Sequence, residues 1–268
     1  DSLFWMNDFN AKDYWEKRLA KTKGLAGVGY AGLGGSFNRW MYRVRRRIFL
    51  SSVKKHKALL AGKRILDIGC GTGFYIERWE ELGFTEITGV DLTEVAVERL
   101  STAYPNHRFV QADITSQTLP FSSDEFDVIS AFDVLFHVVD DELFEGALKN
   151  IHSLLAPKGF FIWSDNFLKE RRVLAEHQVC RSLDEVEYLC GEIGFEIIER
   201  CPMFFFMNAP VDSDSRILRK NWHIIQRFFT KNEWLGWIYG ALLYPVELVA
   251  LTVAQEGPST EMMICQKK

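Results

Sequence analysis

The sequence lacks the features that would place it in most specialised protein classes. Only five of its 268 residues are cysteine, at positions 70, 180, 190, 201 and 265, and none forms a C-x-x-C pair. An odd number without that spacing excludes a disulfide framework and a zinc-ligand cluster, and it predicts a reducing, cytoplasmic setting. No group of histidines and carboxylates has metal-ligand spacing, so no metal is expected. Neither sign of charge is in excess: 32 Lys and Arg against 36 Asp and Glu leave a net charge of -4, which argues against a surface built throughout for nucleic acid. The first residues carry no basic start followed by an apolar run, so no secretory leader is expected. One stretch, Trp234 to Leu251, is apolar over the length of a membrane span, and Gly236, Gly240, Pro245 and Glu247 interrupt it. Internal repeats and low-complexity tracts are absent.

What is present is material for a packed core. A content of 47% hydrophobic, 14% aromatic and 25% charged residues in a chain of this length fits one large domain with appendages. From Arg64 onward, short apolar runs alternate with helical patterns, the mark of a parallel sheet wrapped by helices. The runs predict strands at Arg64 to Ile68, Glu86 to Asp91, Arg108 to Ala112, Phe126 to Ala131, Gly159 to Ser164, Glu196 to Arg200 and Glu261 to Gln266. Val95, Val97 and Leu100 stand at helical spacing within Glu94 to Tyr104. Leu143, Phe144, Ala147, Ile151 and Leu155 do the same within Asp141 to Leu155.

Two segments stand outside this alternation. Residues 1–58 contain a glycine-dense stretch and then Arg39 to Lys57, a run with eight Lys and Arg and no acid. Such a run is ordinarily a solvated helix face, with a phosphate-bearing partner as the alternative. Residues 207–259 form an aromatic-rich, helical insertion that includes Trp222, Trp234, Trp237, Tyr239 and Tyr244.

The chemistry is carried by Leu66-Asp67-Ile68-Gly69-Cys70-Gly71-Thr72-Gly73, which ends the first strand in a tight glycine turn and opens a helix. A dinucleotide fingerprint would need glycine at position 74, where Phe74 stands. Aspartate just ahead of the turn would oppose a phosphate and suits a cationic ligand. This D-x-G-x-G-x-G arrangement resembles the first motif of the class I S-adenosylmethionine-dependent methyltransferases. Further pieces fall in that family's order: Val90-Asp91, Gln111-Ala112-Asp113-Ile114, Asp127-Val128-Ile129 leading to Asp133-Val-Leu-Phe-His137, and Leu154 to Phe160.

The resemblance implies a doubly wound, Rossmann-like α/β fold with a seven-stranded, mostly parallel sheet, an N-terminal helical lid and a helical insertion before the last strand. Its core would be residues 59–206 plus 260–268, with 1–58 as lid and basic helix and 207–259 as cap. The cofactor would be S-adenosylmethionine, leaving as S-adenosylhomocysteine. The implied cofactor set is Asp67, Gly69, Cys70, Gly71 and Gly73 in the turn, Asp91 and Leu92 at the ribose, and Asp113 and Ile114 at the adenine. His137 is the base candidate, with Asp133 holding it or meeting the methionine end of the cofactor. Either residue could instead be structural. Tyr30 and Asn38 from the lid, Asp165 and Asn166 after the fifth strand, and Trp234 from the cap are expected at the acceptor. The implied reaction is methyl transfer to a small organic acceptor with oxygen favoured. The alternatives are nitrogen, carbon, or a partner protein that binds the cofactor without turnover. Nucleic-acid methylation is disfavoured because no N-P-P-Y-like motif follows the fourth strand. Docking on a membrane surface ranks below both an acceptor cap and a cap that packs on its own domain, since the stretch is interrupted and lacks a dense basic face.

Overall fold

The computed structural model describes residues 10–22, 24–56, 64–229 and 232–268. The expected boundary between residues 58 and 59 lies outside the described residues. In chain order the elements are α1 (Ala11–Lys21), α2 (Leu25–Val28), α3 (Gly34–Lys55), β1 (Arg64–Ile68), α4 (Phe74–Glu81), β2 (Glu86–Asp91), α5 (Glu94–Ala103), β3 (Arg108–Gln111), β4 (Phe126–Phe132), α6 (Asp141–Leu154), β5 (Leu155–Asp165), β6 (Arg172–Ala175), β7 (Gln178–Cys180), α7 (Leu183–Ile193), β8 (Phe195–Pro202), α8 (Arg216–Ile224), α9 (Glu233–Val253) and β9 (Glu261–Lys267).

Seven strands make one sheet in the order β3-β2-β1-β4-β5-β9-β8. Strands β1 to β5 pair in parallel, and β9 runs antiparallel between β5 and β8. The doubly wound, mostly parallel sheet expected from the sequence is therefore the observed one. Because β2 lies on one side of β1 and β4 on the other, the strand order reverses at β1 and leaves a crevice at the carboxyl ends of the strands.

Both faces of the sheet are buried, which is why its strands read as nearly continuous apolar runs. Alternate side chains separate into two cores. Ile65, Val128, Phe160, Ile162 and Ile264 face α3 and α4, while Leu66, Ile129, Ala131, Phe161, Trp163 and Cys265 face α6 and α7. Asp140 caps α6 by accepting from Leu143 N, and Ser182 with Glu185 closes a reciprocal capping box on α7.

The helical insertion expected before the last strand is present as α8 and α9. Helix α3, the basic helix of the 1–58 segment, packs into the core: Phe37, Met41, Val44, Phe49 and Val53 are all buried. Helix α9 lies along α3, with Glu233 accepting from Gly35 N and Ser36 N at the start of α3. After β5 comes the hairpin β6–β7, which the sequence pattern does not announce, and Leu168 ahead of it forms an isolated parallel bridge with Ser182 behind it.

Candidate functional site

The glycine turn after β1 is shaped by close approach. Gly69 has φ +67, and a β-carbon there would stand 2.4 Å from Val134 Cγ2, so only glycine fits. Its neighbour Gly71 has φ +47 and donates its N–H to Asp91 Oδ2 at 2.8 Å. The other oxygen of Asp91 accepts from Thr93 N and Thr93 Oγ1 at 2.9 and 2.7 Å. One carboxylate thus ties the turn to the end of β2 and keeps a lone pair on Oδ2 for a further donor. Burial raises the pKa of Asp91, and the bonds from Thr93 and Gly71 oppose that rise. Asp113, in the loop after β3, accepts from Thr115 N and Oγ1 on Oδ1, at 2.9 and 2.7 Å.

These residues border a cavity of about 310 Å³ at the switch point of the sheet. Its floor is the turn from Gly69 to Thr72, and its sides carry Asp91, Leu92, Asp113, Ile114, Asp133 and His137. Ala11, Trp15 and Leu19 of α1, with Val28 of α2 and Tyr42 of α3, complete the wall. Helix α1 is held there by Glu16, which accepts from Glu94 N and Val95 N at the start of α5. Arg18 and Arg99 add bonds to the carbonyls of Gly29 and Leu19.

His137 faces the cavity from the short turn after β4. Its Nδ1 lies 2.7 Å from the carbonyl oxygen of His177 in the β6–β7 turn. A carbonyl only accepts, so Nδ1 carries the hydrogen and the neutral ring keeps its lone pair on Nε2. Burial lowers its pKa to about 4, against the raising effect of that hydrogen bond. The ring packs edge-on against Trp15 at 4.9 Å and is stacked with His177 at 5.5 Å.

Asp133 does not hold His137. Its Oδ2 pairs with Arg45 at 2.7 Å and its Oδ1 accepts from Ser164 Oγ at 2.9 Å, on a backbone with φ +57. Arg45 is buried in α3, its guanidinium also lying over Phe204 at 4.9 Å. The basic run is therefore a solvated face only in part. Arg45 occupies a core row of the helix, Phe37-Met41-Arg45-Phe49-Val53, and that interruption of an i, i+4 apolar row is the signal by which sequence could have found it.

Of the expected cofactor residues, Gly69, Cys70, Gly71, Asp91, Leu92, Asp113 and Ile114 line the cavity. Asp67 and Gly73 do not. Asp67 lies beneath the turn, accepting from Ser130 Oγ at 2.6 Å, and burial pushes its pKa up to about 7. Gly73 sits at the start of α4 with φ +80.

None of the five expected acceptor residues lines the cavity. Tyr30 packs edge-on against Trp222, and the Asn38 side chain bonds the backbone of Tyr30 and Gly34, so the glycine-dense stretch is built for packing. At the end of β5, Asn166 bonds Cys180 Sγ of β7 and accepts from Thr260 Oγ1. Asp165 is buried with its pKa pushed up to about 8 by that burial. Trp234 is 69% exposed on α9, and no described residue of 207–259 lines the cavity. The outer wall comes from the 1–58 segment, through Val28, Tyr42 and α1, whose Trp15 and Leu19 stand one helical turn apart, and not from Tyr30 or Asn38 of that segment or Trp234 of the insertion.

Comparison with known proteins accords with this geometry. Residues 65–159 match the family described as "Methyltransferase domain". The chain is 34% identical over 109 residues to a ubiquinone biosynthesis O-methyltransferase of Pseudomonas aeruginosa, covering 38% of this chain and 44% of that protein. Over 195 residues it is 24% identical to cycloartenol-C-24-methyltransferase 1 of Oryza sativa subsp. japonica, covering 62% and 55%. It thus spans about half the length of these curated relatives. Among solved structures, the MccD protein superposes with a TM-score of 0.52 at 17% identity over 82% of this chain and 96% of that one, a likeness of fold.

Proposed function

We propose that this chain, which carries the class I S-adenosylmethionine-dependent methyltransferase fold with a matching methyltransferase domain at 65–159, transfers a methyl group to a small organic acceptor, oxygen being the favoured atom. The observation that carries the reading is one cavity in which a glycine turn, four carboxylates and an unprotonated imidazole converge.

The residues present fit the cofactor. The cavity is acidic: Asp91, Asp113, Asp133 and Asp140 line it and no Lys or Arg among the described residues does, Arg45 pairing with Asp133, so it suits a positively charged ligand. On the cavity wall, Thr72 Oγ1 is buried with no hydrogen-bond partner among the described residues, as expected of a group that a ligand satisfies. Asp91 would accept from the ribose hydroxyls through its remaining lone pair, Asp113 would accept from the adenine amino group, and Ile114 would pack on the ring. When bound, S-adenosylmethionine supplies an electrophilic methyl carbon. Asp133, fixed by Arg45 and Ser164, sets the charge at the end of β4. His137 offers Nε2 as the proton acceptor for a hydroxyl, while the His177 carbonyl fixes the tautomer. Trp15 and Tyr42 exclude water from the wall. The five cysteines are free thiols, which supports a reducing compartment.

One relative in the comparison is named for an oxygen acceptor and another for a carbon, so the preference for oxygen rests on His137. The test is to incubate the protein with methyl-labelled S-adenosylmethionine and pools of small hydroxyl, amine and activated-carbon compounds, and to identify the labelled product by mass spectrometry. Label on a hydroxyl oxygen supports the reading. Label on nitrogen or carbon moves the acceptor atom, and binding without transfer in any pool supports the non-catalytic alternative.

A further inference from the structure

We propose that the outer face of α9, flanked by the basic face of α3, docks the protein on an anionic phospholipid bilayer, with the helix lying in the interface and not crossing it. The helix Glu233–Val253 is apolar enough to span a membrane, with mean hydropathy 1.4 over an 18-residue window, yet it is mounted on the outside of the fold. Trp234, Leu242, Val246, Val249 and Val253 are between 51% and 77% exposed. At 100° per residue they share one stripe, centred opposite the buried Gly236, Gly240 and Glu247. A contiguous apolar stripe of this length marks an interaction surface.

Three observations select the occupant. First, Glu247 is fully buried and accepts from Phe205 N and Phe206 N, both at 2.7 Å. Together with Glu233 on the start of α3, it anchors α9 to the domain, and spanning a bilayer would strip both carboxylates of their partners. Second, cations border the stripe. On one side Trp237 packs with Trp40, whose ring lies 4.2 Å from the Arg43 guanidinium, and Arg39, Arg43 and Arg47 form an exposed row on α3. On the other side Tyr239 bonds Asn221 of α8, and that segment carries exposed Lys220 and Arg227 with exposed Ile217 and Phe228. Apolar side chains between two cationic rims match the chemistry of an anionic lipid surface. Third, pairing this face with a second copy about a twofold axis would set cationic rim against cationic rim. The dense basic face that the insertion lacks as a sequence is thus provided by α3 in the fold.

The test is flotation of the 268-residue protein with vesicles of phosphatidylcholine alone and of phosphatidylcholine with phosphatidylglycerol. Binding to the anionic vesicles that weakens with salt is expected, with a blue shift of tryptophan emission. Combined Trp234→Ala, Leu242→Ser and Val249→Ser should weaken partitioning by roughly a hundred-fold, without a change in melting temperature because these side chains are exposed. Arg43→Gln with Arg47→Gln should weaken it about twenty-fold while leaving the apolar stripe intact. The proposal is overturned if the folded protein ignores both vesicle types. It is equally overturned if sedimentation velocity shows a dimer that the apolar variant abolishes. Methyl transfer is read separately, so failure here leaves the catalytic reading standing.

Discussion

Arg45 of the third helix pairs with Asp133 at the end of the fourth strand at 2.7 Å, joining the sheet's core layer to the wall of the cavity. The arginine is buried and the aspartate is partly open to the cavity, so removal of the cation strands a carboxylate that is only partly hydrated. Arg45→Met is expected to cost about 2 to 3 kcal/mol in denaturant unfolding. The double change Arg45→Met with Asp133→Asn should recover part of that loss. A single variant as stable as the parent would show that the pair is incidental to the fold.

His137 is expected to act at turnover and not in cofactor affinity. His137→Ala should lower the rate by about a hundred-fold with S-adenosylhomocysteine affinity within a few-fold of the parent. Because burial holds its pKa near 4, the parent's rate should not fall between pH 8 and pH 6 through this group. Steady-state rates across pH check both statements, and retained turnover in the variant would leave His137 a positioning or structural residue.

The same depression has a consequence for stability. An exposed histidine takes up its proton near pH 6.5, whereas His137 in the folded chain resists until about 4. Between those values the unfolded chain binds more protons, so stability falls as pH drops through this window, by about 1 to 3 kcal/mol from this residue. Asp67 and Asp165, whose pKa values burial raises to about 7 and about 8, act with the opposite sign. The comparison is therefore with His137→Phe, whose unfolding free energy should lose less between pH 6.5 and pH 4.5 than the parent's.

Glu16 closes the cavity wall by accepting from Glu94 N and Val95 N, where its charge also meets the start of α5. Glu16→Ala should cost about 1 kcal/mol and raise amide exchange in residues 11–21 more than in the sheet. Uniform exchange across both would show that α1 is held by packing alone.

The sheet was legible because parallel strands buried on both faces leave apolar runs that stop at turn residues, and β1 and β2 begin and end where the sequence predicts. The glycine turn, Asp91 and Asp113 were legible because their spacing follows strand ends, which local sequence marks. The expected acceptor residues fared worse because local polarity cannot say what packs at a strand end. Asp165 and Asn166 stand at the end of β5 as expected, but both are buried, with Asn166 bonded to Cys180 of β7. Arg45 was hidden by its neighbours, since a run of cations reads as solvated unless the one residue in phase with Phe37, Met41 and Phe49 is singled out.

The cavity is expected to hold S-adenosylmethionine through Asp91 and the glycine turn. Calorimetric titration with S-adenosylhomocysteine tests it most directly, on the parent, Asp91→Ala and Gly71→Val. The parent should bind. Asp91→Ala should bind about ten- to a hundred-fold more weakly through loss of a buried acceptor, and Gly71→Val should bind no better, since its side chain would meet Val28 at the turn. No binding by the folded parent, or equal affinity in a folded Asp91→Ala variant, would contradict the account.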